Sequence, residues 1–293
     1  GLFLGAEGTL GIITAAVLKL YPLPCSRELA WVATADVGGA CRLLARARRQ
    51  SCDQVVSAEY VSRASLELVL ENIGDARDPL DTSYGHYVLL EFASAQAGTG
   101  LRTELERVLE TALAGGEIQD GVIAESGRHT DSLWALRESI PEAEKRAGGS
   151  VKHDISVRIS QIPAFISEAE TTLNAISSHR LSVFGHIGDG NVHFNVLAPG
   201  NADAVAFKRT HGERISRIVH DLAHEMNGSF SAEHGIGQLK RNLLAQYAGD
   251  VSLDLMYTLK RALDPKGLMN PGKVVSLEAL RAIGSRQFSD RPA

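Results

Sequence analysis

The stretch Gly185-His186-Ile187-Gly188-Asp189-Gly190-Asn191-Val192-His193-Phe194-Asn195 is an apolar, strand-like run broken at its centre by turn residues. Gly188, Asp189, Gly190 and Asn191 suit positive φ and side-chain-to-backbone turns, so a continuous helix is disfavoured and a tight hairpin follows. With those four as the loop, Ile187 pairs with Val192. His186 then falls opposite His193, their Cβ atoms about 5 Å apart on one face of an antiparallel pair. Two imidazoles at that spacing can share a metal ion. Asn195, two residues beyond His193, takes the same face because side chains alternate along a strand. The bland alternative is that strand histidines are merely hydrogen-bonded, and a metal site needs at least a third ligand. The geometry depends on register, since a slip of one residue separates the pair.

With 293 residues and 44% hydrophobic content, the chain can build one large domain or two ordinary ones. A net charge of −5 gives no electrostatic footprint for nucleic acid. The short basic run at 46–49 reads as a solvated helix face. Cys25, Cys41 and Cys52 are odd in number and lack CxxC spacing, so no disulfide framework is expected. A reducing, cytoplasmic setting is the default, with peripheral membrane association or an organelle left open. No apolar run reaches the roughly 18 residues of a membrane span. The chain opens on Gly1-Leu2-Phe3-Leu4-Gly5 in mid-pattern. That reads as part of a longer protein whose amino-terminal portion is missing.

Gly5, Gly8 and Gly11 recur every three residues, a loop whose backbone can approach a ligand closely. An apolar, strand-like segment follows to Pro24. From there strand and helix patterns alternate: strands at 29–35, 87–93, 121–124 and 151–157, helices at 38–50, 62–72, 101–114, 131–138 and 163–176. This is an α+β or α/β layer. Pro141 should end or kink the helix carrying Arg137, while Lys152 shares a face with Asp154. Taken singly, Arg137 and Lys152 read as ordinary surface cations. A long amphipathic helix at 204–226 is closed by Asn227-Gly228. Further helices at 238–247 and 253–263 lead to the turn Asn270-Pro271-Gly272-Lys273.

Ser231-Ala232-Glu233-His234-Gly235-Ile236-Gly237 reads as a short strand entering another glycine turn. Glu233 offers the missing third ligand, and His234 a base. Two histidines and a glutamate form a ligand set for a catalytic divalent ion that keeps one position open.

Four blocks now stand together: 5–11, 185–193, 231–237 and 270–273. In that order they closely resemble the carboxy-terminal part of FAD-linked oxidoreductases of the vanillyl-alcohol oxidase superfamily, nearest to the D-2-hydroxyglutarate, D-lactate and glycolate dehydrogenases. The resemblance implies an α+β fold, a largely antiparallel sheet with helices on one face. It implies that 1–24 ends an FAD-binding domain, that 25–240 is a substrate-binding cap, and that 241–275 returns to the flavin. Residues 276–293 read as a polar tail.

The resemblance also implies roles. Glu7, Gly8, Thr9, Gly11 and Asn270 would contact FAD; His186, His193 and Glu233 would hold a divalent metal, usually zinc. Arg137, Lys152 and Asn195 would bind substrate, and His234 would be the catalytic base. The implied activity is oxidation of a small D-2-hydroxy acid to the 2-oxo acid, as a dehydrogenase or, like glycolate oxidase, an oxidase. The electron acceptor is unspecified and a homodimer is compatible with it. In the 2-hydroxyglutarate branch the position four after the arginine commonly carries a hydroxyl that touches substrate; here it is Pro141, which keeps D-lactate, glycolate and D-2-hydroxyglutarate all open. Two other readings stand beside this one: a metal-dependent hydrolase using the His/His/Glu set to activate water, and a non-catalytic domain with structural histidines.

Overall fold

The computed structural model describes residues 1–96, 98, 100–200 and 202–275. The expected tail from 276 onward lies outside the described residues. The chain forms two compact units, one of Tyr21–Ala232 and one of Gly1–Leu20 with the segment from Glu233 onward.

The larger unit runs β1 (Ser26–Thr34), α1 (Val37–Gln50), β2 (Val55–Ser62), α2 (Arg63–Asn72), β3 (His86–Ser94), α3 (Leu101–Ala114) and β4 (Ile118–Ile123). It continues α4 (Gly127–Glu138), α5 (Ile140–Arg146), β5 (Ser150–Val151), β6 (Asp154–Ser156), α6 (Ile162–Asn174), β7 (Arg180–His186), β8 (Asn191–Leu197) and α7 (Ala204–Glu225). The strands join in one antiparallel sheet, ordered β4-β1-β3-β2-β7-β8-β5, with β6 also paired to β8. This is the expected α+β class.

The helices, however, cover both faces rather than one. Ala30, Val32, Val88 and Leu90 point into a core under α1, α3, α6 and α7. Leu29, Trp31, Ala33, Tyr87 and Leu89 point the other way, into a second core closed by α2, α4 and α5. Central strands that are apolar on alternate positions of both parities must be covered twice, since burying each large side chain contributes about 1.5–3 kcal/mol. Trp31 is fully buried, its ring 5.4 Å from that of Tyr87.

Local chemistry fixes several boundaries. Ser126 Oγ accepts from the His129 N–H, so α4 starts at Gly127, a turn earlier than the spacing predicts. Pro141 occupies the first turn of α5, where its missing N–H costs nothing; the helix breaks at Ser139 and restarts. The expected strand over 151–157 is split into β5 and β6, because the His153 N–H leaves the ladder for Asn195 Oδ1 at 3.1 Å. No strand forms over 231–237. The bridge Ser156↔Ser229 is the last pairing before the turn there. β2 is an element the sequence pattern did not reveal.

The hairpin also departs from expectation. In the β7–β8 ladder His193 lies opposite Phe184, a register two residues from the predicted one. Its cause is outside the turn: Ile187 N donates to Ala58 O at 3.2 Å, so β7 ends along β2, and the turn is set against residue 157. A slip of two preserves parity, so both imidazoles keep one face.

In the smaller unit, α8 (Arg241–Tyr247) and α9 (Asp250–Leu263) are preceded by the glycine-rich loop. Residues 11–24 adopt no regular structure, and Ile12, Val17, Leu18 and Leu20 are exposed. The strand expected there does not form, since a strand needs a partner ladder and this segment has none among the described residues.

Gly190 carries φ +84°, and a Cβ placed on it would lie 2.0 Å from the Val157 carbonyl oxygen. Gly190→Ala should therefore lower stability by about 3 kcal/mol or more. Gly188→Ala, where the added methyl meets Arg48 Nη2 at 3.5 Å, should stay within about 0.5 kcal/mol. Equal denaturant midpoints for the two variants would contradict the packing described.

Candidate functional site

A group of polar residues of the larger unit lies on the sheet face closed by α2, α4 and α5. On β2, Ala58 and Tyr60 enter the first core, so Glu59 between them faces the second. On β8, Val192, Phe194 and Val196 enter the first core, leaving His193 and Asn195 on the second face. His186 pairs across from Glu59. The His186 and His193 rings lie 6.5 Å apart in an edge-to-face arrangement.

Glu59 links the members of this group and was not apparent from sequence. It is 5% exposed. Its Oε2 accepts from Arg137 Nε at 2.9 Å, while Oε1 accepts from Ser57 Oγ at 3.1 Å and lies 3.5 Å from His186 Nε2. The Arg137 guanidinium also stacks 4.7 Å over the Phe184 ring. Arg137 is thus a half-buried cation, its side chain 11% exposed, rather than a surface one, and its Nη groups have no partner among the described residues. A cleft of about 400 Å³ lined by Arg48, Val55, Ser57, Glu59, His186 and Asp189 opens beside the same carboxylate.

A second buried carboxylate, Glu144 of α5, organises the neighbouring side chains. Its Oε1 accepts from Asn195 Nδ2 at 2.9 Å, and its Oε2 accepts from Ser150 Oγ at 2.9 Å. Lys152 Nζ lies 3.9 Å from Oε2. His153, adjacent to Lys152, is structural: its Nδ1–H donates to Phe194 O at 2.6 Å, which leaves Nε2 to accept from Ser216 Oγ at 3.0 Å.

The donor chemistry fits a divalent ion. Asp154 Oδ1 stands 3.8 Å from His193 Nδ1 and accepts from Asn191 Nδ2 at 2.7 Å, so the histidine pair has hard oxygen donors close by. A tetrahedral ion with Zn–N near 2.1 Å would set two ring centroids about 5 Å apart. The observed separation is 6.5 Å. Glu233 and His234 open the second segment of the smaller unit.

Within the smaller unit the residues expected at the flavin brace one another. Glu7 Oε1 and Oε2 accept from the N–H groups of Ile236 and Gly237 at 2.7 and 2.8 Å. Asn270 Nδ2 donates to Glu7 O at 2.6 Å, and Thr9 Oγ1 donates to Ala6 O at 2.6 Å. The loop backbone itself is approachable: a Cβ on Gly5 would meet nothing within 4 Å, and one on Gly8 only the Asn270 side chain. Gly11 is packed against Phe3. The loop fits a cofactor that is gripped by backbone rather than by side-chain charge.

Beneath it, Lys260 is 3% exposed and donates to Thr9 O, Asp264 Oδ2 and Met269 O at 2.6–2.7 Å. Asp264 in turn accepts from the N–H groups of Leu268 and Met269. The Lys260 bond, helped by those two N–H groups, holds the Asp264 carboxyl down to about 2 from its ordinary 3.8.

Residues 23–274 match the family described as FAD linked oxidases, C-terminal domain. The mitochondrial D-2-hydroxyglutarate dehydrogenase of Arabidopsis thaliana is 33% identical over 274 residues, 94% of this chain and 47% of that protein. The D-2-hydroxyglutarate dehydrogenase of Stutzerimonas stutzeri is 34% identical over 275 residues, 93% of this chain and 58% of that protein. The chain spans about half the length of the curated relatives it matches. Among solved structures, substrate-bound p-cresol methylhydroxylase aligns with a TM-score of 0.63 at 14% identity, over 87% of this chain and 54% of that one. Alkyldihydroxyacetonephosphate synthase aligns with a TM-score of 0.54 at 15% identity, over 91% and 48%. Those likenesses bear on the fold alone. No helix among the described residues is long and apolar enough to cross a membrane.

Because the Asp264 carboxyl is lowered by folding, its contribution is complete above its unfolded value and is lost as pH falls through about 2. The stability gap between the wild type and Asp264→Asn should be full near neutrality and close between about pH 4 and pH 2. Thermal midpoints measured along that series check it; a gap that stays constant into acid contradicts the assignment.

Proposed function

The chain belongs to the FAD-linked oxidase C-terminal domain family, and on that premise we propose that it forms the substrate-binding and metal-binding part of a flavin-dependent D-2-hydroxy-acid dehydrogenase. The first 24 residues would end the FAD-binding portion, and the exposed apolar run after Gly11 supports this, as a strand awaiting a ladder. Residues 25–240 would form the cap and 241–275 the return toward the flavin. D-2-hydroxyglutarate is the first substrate to test, given the names of the relatives; D-lactate and glycolate follow because Pro141 stands where that branch commonly has a hydroxyl.

One observation carries the reading: Arg137, His186, His193 and Asn195 share one sheet face, with the Arg137 Nη edge unclaimed. A planar guanidinium locked through Nε offers two parallel donors to a substrate carboxylate. Lys152 adds a cation at the rim, and Asn195 a donor to oxygen. His186 and His193 would hold the divalent ion; Glu233 joins that set on the sequence resemblance alone. Such an ion, zinc by the same resemblance, supplies Lewis acidity that lowers the substrate hydroxyl pKa. His234 would accept the hydroxyl proton on an imidazole nitrogen. FAD would be held by the backbone of the loop at 5–11 and by Asn270, and would supply the hydride acceptor. The protein's own part is orientation, holding the α-carbon hydrogen in line while the carboxylate is clamped.

Anaerobic mixing of the full-length protein with each D-2-hydroxy acid should bleach the flavin absorbance, and a chelator should slow it. No bleaching with any of the three acids removes the proposal. Arg137→Lys, which keeps charge opposite Glu59 but loses the fork, should raise KM about 10–100-fold with a smaller change in kcat. Steady-state kinetics of the folded variant check this.

A further inference from the structure

We infer that the two buried carboxylates, Glu59 and Glu144, are positioning residues that fix how this site presents its donors. The inference rests on the function proposed above. Each carboxylate divides its oxygens between different site residues. Glu59 reaches Arg137 through Oε2 and His186 through Oε1; Glu144 reaches Asn195 through Oε1 and Lys152 through Oε2. Each is steadied by one serine, Ser57 or Ser150. An ion pair kept only for stability has no reason to select these partners, and a buried pair is in any case a poor source of net stability.

The consequences are specific. Holding Arg137 by Nε fixes the plane of the guanidinium and turns its Nη edge outward as a two-donor fork. Asn195 is fixed at both ends, Nδ2 on Glu144 and Oδ1 on the His153 N–H. Its amide orientation is therefore determined, and what it retains for a ligand is its second Nδ2 hydrogen. Beside the histidines the site thus presents donors from Arg137, Lys152 and Asn195, which select an oxyanion such as a carboxylate. Glu59 also sets the imidazole of His186, as outer carboxylates commonly do for metal-binding histidines.

The two carboxylates make different predictions in the full-length protein. In Glu59→Gln the amide oxygen can still accept from Arg137, but its NH₂ then faces His186 Nε2 and favours the tautomer that carries its proton on Nδ1, the nitrogen otherwise left for a metal. Zinc affinity measured by equilibrium dialysis should fall about 10–100-fold, and KM for the hydroxy acid should rise. Glu144→Gln should raise KM several-fold and leave zinc affinity unchanged. Glu117→Gln breaks a comparable pair, with Arg46, away from this face; it should lower the thermal midpoint and move neither zinc affinity nor KM. If Glu59→Gln does not fold, Glu59→Asp, which keeps the charge but falls one methylene short, should weaken zinc in the same direction.

Wild-type zinc affinity in the Glu59 variants, or wild-type KM in Glu144→Gln, would overturn the inference while leaving the proposed function standing. A wild-type protein that binds no zinc and whose flavin no hydroxy acid reduces would overturn both.

Discussion

A sheet covered on both faces has no place for charge except where charges cancel one another. That constraint governs the larger unit. β1 and β3 carry apolar side chains up and down, so helices must close each side and water is excluded from both. Buried ionisable groups survive where each is compensated: Glu91 of β3 by Arg27, Glu117 by Arg46, and toward β2, β7 and β8 Glu59 by Arg137, Glu144 by Lys152 and Asp154 by hydrogen bonding with Asn191. The clustering of polar residues is thus a result of burial before it is a requirement of chemistry. Excluding water also strengthens whatever electrostatic work the cluster performs.

Much of this fold was legible because periodicity and turn chemistry agree in most elements. The helix over 101–114 and the long helix from 204 follow directly from spacing, and the latter's end follows from Asn227, which takes φ 56° before Gly228. Segments whose structure is decided by distant partners were not legible. β2 mixes Ser57 and Glu59 with apolar neighbours, and its strand character comes from lying between β3 and β7. Residues 11–24 show the converse, a strand-like pattern without a ladder. Helices on both faces could have been anticipated from the unbroken apolar runs of β1 and β3, which a sheet with one wet face does not tolerate.

The candidate site was legible to a similar depth. The residues that carry distinctive chemistry, His186, His193, Arg137 and Asn195, stand out by type or by resemblance. Their carboxylate partners do not, because a glutamate at 59 or 144 looks like any solvated acid until its burial is known. The hairpin marks the limit most clearly. Turn propensity placed the loop at 188–191, one residue from the observed 187–190, and missed the register by two, since the deciding hydrogen bonds run from Ile187 to Ala58 and from Val157 to Gly190. Local sequence specifies that a chain reverses; packing specifies where it stops.

The burial of Trp31 gives the molecule an uneven optical signature. The chain's two tryptophans, Trp31 and Trp134, both fall in Tyr21–Ala232, and no tryptophan occurs in the other unit. Trp31 emits from an apolar interior 5.4 Å from a tyrosine that can transfer excitation to it. Intrinsic fluorescence therefore watches the larger unit directly, while loosening around Lys260 and Asp264 is silent in that channel. Two probes that disagree during unfolding would accordingly report which half of the chain let go first.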